Sequence, residues 1–166
     1  MPNNAIAKTV LAPKRVLAVL IVICLVGGLS WLKLFSQESK STCEGYRNDQ
    51  KISVGRNYAL ELEIVKSLSE QTKGLSGREC IGKNQAMLFV FEVVGRQCMW
   101  MKDMRFDIDI LWLNQQNQIT KIEHSVSKNS YPKTYCSKNP DTRYVLELKS
   151  GTAKSLDLEV GQLISL

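Results

Sequence analysis

Seventeen consecutive residues without a charge, Val16 to Leu32 (VLAVLIVICLVGGLSWL), constrain this chain more than any other feature. As a helix such a run spans roughly 25 Å, slightly less than the hydrocarbon core of a bilayer. Lys33 can snorkel, while Leu34 and Phe35 carry the apolar run past it. Trp31 suits a membrane interface, and Lys8, Lys14 and Arg15 precede the run. The reading is therefore a basic cytoplasmic flank over residues 1–15 and a transmembrane anchor over 16–35. Everything beyond is expected outside the cytoplasm. The alternative is a cleaved signal peptide followed by secretion, for which Val26-Gly27-Gly28 is the only passable cleavage site. A lipoprotein site at Cys24 is disfavoured by the bulky Ile23 before it.

The cysteines fit an exported domain. Cys24 lies inside the apolar run, and Cys43, Cys80, Cys98 and Cys136 follow it. Four thiols in an oxidising compartment read as two disulfides. Zinc would want C-x-x-C spacing or clustered histidines, and His124 is the single histidine. No cofactor is expected. Cys80 and Cys98 flank what reads as one hairpin, so they are expected to pair, leaving Cys43 for Cys136.

The formal net charge of +6 invites a nucleic-acid reading, but its distribution opposes one. Residues 1–40 hold five cationic side chains and one acid, +5 − 1 = +4, leaving 6 − 4 = +2 for residues 41–166. No dense Lys/Arg stripe with interleaved aromatics remains in that part.

Residues 36–57 are polar and read as a tether. From Tyr58 the chain alternates, with Leu60, Leu62 and Ile64 between Glu61 and Glu63, the period of a half-buried strand. Ser67 and Glu70 form a capping box before a short helix that Gly74 stops. Met87–Val94 is apolar on both faces and reads as a central strand, with Cys98–Met104 returning as its hairpin partner. Further strands are expected at 108–113, 119–126, 143–148 and 162–166, a loop at 129–142, and a short helix at 151–156. Short strands separated by turns imply an all-β fold, a β-sandwich or partly open barrel with one or two short helices.

The order of G-L-S-G-R (Gly74 to Arg78), M-L-F-V-F (Met87 to Phe91), W-M-K-D-M (Trp100 to Met104), D-I-L (Asp109 to Leu111) and R-Y-V-L-E-L (Arg143 to Leu148) resembles the domain of unknown function 192 family of bacteria and archaea. The terminal G-x-A-x-x-L-x-L-x-x-G (Gly151 to Gly161) adds to the resemblance, which covers residues 58–166. It implies a compact β-sandwich-like fold, commonly exported or membrane-attached, and no particular activity. The family's usual W-M-K-N-T is altered to Asp103 and Met104 here, Asp107 replaces a proline, and a D-x-x-G turn becomes Asn114-Gln115-Gln116-Asn117.

Candidate site residues each carry a functional and a structural reading. Asp107 and Asp109 lie two apart and could form a carboxylate pair for a hydrolase acting on envelope material. Alternatively, Asp109 is a partly buried aspartate capping a turn or paired with an arginine. Arg143 and Glu147 share a strand face, as an anion clamp or a salt bridge. Trp100 and Lys102, with Arg78 as a further member, either line a groove for a sugar or peptide or pack as a tryptophan under a snorkelling lysine. A Cys136–His124 nucleophilic pair requires a free thiol and conflicts with the disulfide reading. No catalytic set emerges. The leading expectation is a membrane-tethered binding module of the cell envelope with a protein or glycan ligand. The alternatives are the Asp107/Asp109 hydrolase and an assembly factor for another envelope protein.

From the charge distribution, residues 41–166 are expected to leave DNA and RNA unshifted at near-physiological salt in a gel assay. Sub-micromolar, salt-sensitive binding would contradict this reading.

Overall fold

The structure, a computed structural model, describes residue 43 and residues 45–55 and 58–166. The expected anchor over 16–35 lies outside the described residues, and among those described no helix is long and apolar enough to cross a membrane. The described part is mostly β-strand with two short helices. Its strands are β1 (Gln50–Val54), β2 (Tyr58–Val65), β3 (Gln85–Gly95), β4 (Cys98–Trp100), β5 (Ile108–Asn114), β6 (Ile119–Val126), β7 (Thr134–Cys136) and β8 (Thr142–Lys149). The helices are α1 (Leu68–Lys73) and α2 (Thr152–Ser155).

Six strands form one sheet in the order β1-β2-β3-β8-β5-β6, and β4 pairs with β7 in a separate ladder. All neighbours are antiparallel except β2 and β3, which run parallel across the connection containing α1. The start of α1 follows the sequence closely. The Ser67 hydroxyl accepts from the Glu70 N–H (3.3 Å) and the Glu70 carboxylate accepts from the Ser67 N–H (3.2 Å). The Ser67 hydroxyl and then Arg47 hold the Glu70 carboxyl down at about 2.

The strands β3, β8 and β5 are apolar on both faces because both faces are covered. On one face Leu60, Leu62, Ala86, Leu88, Leu111, Leu113, Leu146 and Leu148 pack with Ala153 of α2 and with Leu158 and Ile164 of the C-terminal segment. On the other, Met87, Phe89, Ile108, Ile110, Trp112 and Val145 pack under Leu75 and Ile81 from the α1–β3 connection. Met99, Met101 and Tyr135 from the β4–β7 side complete this second layer. That layer is a two-stranded ladder rather than a second full sheet.

Several local expectations are corrected. The polar stretch read as a tether to residue 57 contains β1, whose Ile52 and Val54 are buried beside β2. Ahead of it, the Tyr46 hydroxyl accepts from the N–H groups of Glu63 (2.9 Å) and Ala86 (2.8 Å), bridging β2 and β3. Two apolar residues in five gave too weak an alternation to be recognised as an edge strand. β4 does not fold back on β3. It is three residues long, leaves the main sheet, and pairs with β7 inside the stretch expected to be a loop. Residues 162–166 make a single bridge, Gln118 to Leu163, instead of a strand.

Two disulfides form, as the cysteine count implied, but the pairing differs from the expectation: Cys43–Cys80 and Cys98–Cys136. The cause is the misplaced hairpin. With β4 against β7, Cys98 and Cys136 stand directly opposite each other, Cα to Cα 4.0 Å. Cys43 then clips the segment before β1 to the α1–β3 connection.

Non-reducing peptide mapping is expected to recover these two linkages. Each closes a loop with a sequence separation of 37 or 38. Replacing either pair with serines should lower unfolding stability in urea by about 3–4 kcal/mol on the chain-entropy account.

Candidate functional site

The motif segments G-L-S-G-R, M-L-F-V-F, W-M-K-D-M and R-Y-V-L-E-L all contribute to the wall of one cleft. It is bounded by Leu68 and Gln71 of α1, by Leu75 and Ser76 after it, and by Phe89 and Phe91 of β3. Met99 and Trp100 of β4, Met104 in the turn beyond it and Glu147 of β8 complete it, and it holds about 150 Å³ of solvent space. The turn after α1 is tied to the turn after β4. The Gly77 N–H donates to the Asp103 carbonyl (2.8 Å), and the Ser76 hydroxyl donates to that of Lys102 (2.8 Å). Asp103 takes a positive φ of 55° there, a conformation that asparagine and aspartate tolerate. Asp103 in the family's asparagine position is thus accounted for by backbone geometry. Likewise Asn117 adopts φ 62° in the turn where the family carries glycine, and the Asn114 side chain accepts from the N–H groups of Gln116 and Gln118 (both 3.0 Å).

Glu147 gives the cleft its chemistry. It sits in the middle of β8, 4% exposed, opposite Met87 on one neighbouring strand and Ile110 on the other. Among the described residues it has no hydrogen-bond or ion-pair partner, and burial alone pushes its carboxyl up to about 8. Glu63 makes the contrast. It belongs to the same cross-strand row (Glu63, Met87, Glu147) and is equally buried, yet Arg78 grips both its oxygens, Nη1 to Oε2 at 2.8 Å and Nη2 to Oε1 at 2.7 Å. A buried carboxylate normally carries such a partner, because an uncompensated charge in the interior is costly.

The cleft brings together two of the residues singled out in the sequence, Trp100 and Glu147. Lys102 stands with Trp100, Asp103 and Tyr131 around a neighbouring depression, so Trp100 is a wall shared by both. Arg78 is paired with both oxygens of Glu63 and does not line the cleft. Arg143 donates to the Glu92 carbonyl (2.5 Å) and forms no ion pair with Glu147 or Asp109. Asp109 is fully buried. Its Oδ1 accepts from the N–H groups of Ser125 (2.8 Å) and Gly151 (3.1 Å), and its Oδ2 from that of Ala153 (2.8 Å), which pins α2 onto the β5–β6 pair. Asp107 is exposed and accepts from the Lys128 N–H (2.8 Å). The expected Asp107/Asp109 carboxylate pair is therefore corrected: Asp109 is a structural cap with its oxygens occupied. Cys136 is bonded to Cys98, so it offers no thiol to His124.

Sequence reasoning missed Leu68, Phe89, Phe91 and Met104. The alternation of Phe89 and Phe91 on a strand was the available signal for two of them. Among the described residues, no group of His, Cys, Asp and Glu side chains is placed to hold a metal ion.

The unpaired Glu147 sets a pH dependence. Its ordinary carboxyl value is 4.5 and its folded value about 8, so between these the unfolded chain has released a proton that the folded chain keeps. The contribution of Glu147 to stability should be full below pH 4.5 and be lost as pH rises towards 8, by about 1.4 kcal/mol per unit at the steepest. Urea midpoints of Glu147→Gln should be nearly flat over that window while the wild type declines. Glu70 acts only at lower pH and leaves the window clear.

Among solved structures the chain is similar to a protein from Sinorhizobium meliloti 1021 described as a candidate transcription regulator, at 28% identity over 69% of this chain and 89% of that one, TM-score 0.64. It also shares its fold with a protein of unknown function from Novosphingobium aromaticivorans DSM 12444, at 20% identity over 70% of this chain and 82% of that one, TM-score 0.64. No curated protein matches the chain. The family model described as "Uncharacterized ACR" matches residues 50–166, the whole of the sheet with both its cover layers, and the chain belongs to this domain of unknown function 192 family.

Proposed function

We propose that this chain is a binding module of the cell envelope, tethered to the membrane through residues 16–35, that receives a ligand group in the cleft between α1 and β4. The observation that carries the reading is the cleft itself. A half-exposed Trp100 (42%) stands at the mouth and a buried, unpartnered carboxyl lies within, an arrangement that a packed surface has no reason to keep. The two disulfides support an oxidising compartment, and the basic flank before an uncharged run supports a cytoplasmic N-terminus. The occupied oxygens of Asp109 argue against the hydrolase reading.

An assembly factor for another envelope protein is a second reading. Leu68 (80% exposed), Trp100 and Tyr131 (52%) favour it, since they border the cleft and its neighbour with apolar surface. The description of the S. meliloti relative stays with that protein, because the +2 excess of residues 41–166 gives little support to nucleic-acid binding here.

A membrane-impermeable protease added to intact spheroplasts should remove the folded part, and full protection would refute the topology. In the protein labelled with ¹⁵N-tryptophan, n-butanol should shift the indole signal of Trp100 saturably. The signal of Trp112, fully buried with its Nε1–H donated to the Gln97 carbonyl (3.0 Å), should stay in place. Trp100 unmoved by n-butanol and by n-butylammonium alike would refute the cleft as a binding site.

A further inference from the structure

We propose that the group received by the cleft is a small alkylammonium cation, its nitrogen held by the Glu147 carboxylate and its carbons by the aromatic wall of Phe89, Phe91 and Trp100. The inference rests on the reading of the cleft as a ligand site and names the chemistry of its occupant.

The chain supplies Arg78 to the equally buried Glu63, in the same cross-strand row, while among the described residues nothing partners Glu147. Its flanking neighbours on the sheet are Met87, Ile110 and, two residues back on its own strand, Val145, none of which can donate a hydrogen bond. The cations nearby leave it unpaired. Lys73 of α1 is an exposed residue of the cleft wall and makes no ion pair with Glu147. Lys102 and Asp103 border the neighbouring depression, and Lys149 of β8 borders a different one. On β6, Glu123 lies opposite Ile110 and is paired with Lys121 (2.9 Å). The carboxyl thus lines a cleft whose walls carry aromatic rings and one cation, Lys73, which is exposed and not paired with it; a carboxylate beside ring faces is the combination that recognises an ammonium group.

Size narrows the class. A space of about 150 Å³ falls below the range of roughly 300–1,000 Å³ usual for drug-sized ligands. It suits the end of an alkylamine, free in solution or borne by a lysine side chain of a partner protein. The proton balance follows. Burial holds Glu147 protonated at neutral pH. Binding of the cation ionises the carboxyl and sends its proton to solvent, one per cation bound below pH 8. An alkylammonium stays charged to about pH 10, so its affinity should climb up to about tenfold per pH unit from 6 to 8 and then level off.

The full-length, ¹⁵N-tryptophan-labelled protein is titrated with n-butylammonium and with n-butanol at pH 6, 7, 8 and 9, following Trp100. The proposal expects n-butylammonium to bind more tightly as pH rises to 8 and n-butanol to show no such gain. Glu147→Gln should abolish the pH dependence for n-butylammonium and weaken its binding at least tenfold at pH 8. Equal, pH-independent binding of both probes, or an unchanged Glu147→Gln affinity, would overturn the cation and leave the cleft standing as a binding site. If neither probe moves Trp100, both readings fall. A parallel arm with N-acetyl-lysine amide identifies the source. Binding at least as tight as n-butylammonium supports a protein-borne lysine, and weaker binding supports a free amine.

Discussion

The whole structure follows from the centre of the sheet being apolar on both faces. β5 is the clearest case. Ile108, Ile110 and Trp112 point one way, Leu111 and Leu113 the other, and all five are buried. A strand of that kind needs two covers. The chain provides α2 and the C-terminal segment for one face, and the α1–β3 connection with the β4–β7 ladder for the other. Neither cover is a full layer, so each is fastened by specific contacts. Asp109 gathers three N–H groups to pin α2, while the two disulfides, the Glu63–Arg78 pair and the Gly77–Asp103 contact hold the opposite side.

The cleft is a by-product of that second cover. α1 and β4 reach over β3 and β8 from different directions and leave a space between them, with Glu147 facing it from the sheet. Three buried carboxylates therefore have three different fates. Asp109 is satisfied by backbone, Glu63 by a guanidinium, and Glu147 by nothing in the described chain. Burial pushes the carboxyl of the last up to about 8.

Period and composition made much of this legible. The strands at β2, β3, β5, β6 and β8, the capping box at Ser67 and Glu70, and the family resemblance were all visible in the residues themselves. What failed was pairing. A turn at Gly95-Arg96 suggests a hairpin, yet whether β4 returns to β3 depends on which strand already occupies that edge, and β8 does. The disulfide connectivity inherited that error. For the site, Trp100 and Glu147 could be picked out, but Arg78 and Asp109 drew equal notice, because an alternating pattern shows which face a charge takes and not what waits there to meet it.

The β4–β7 ladder has three residues on each side, and a ribbon so short has little stability of its own. Met99 and Tyr135 seat it on the sheet, and the Cys98–Cys136 bond clips it shut. Its amides should therefore exchange with solvent through subglobal openings well before those of β5 and β8, with the clipped ribbon lifting as one unit. Since β4 forms one wall of the cleft, a lifting of the ribbon would widen that space while the six-stranded sheet below keeps its register.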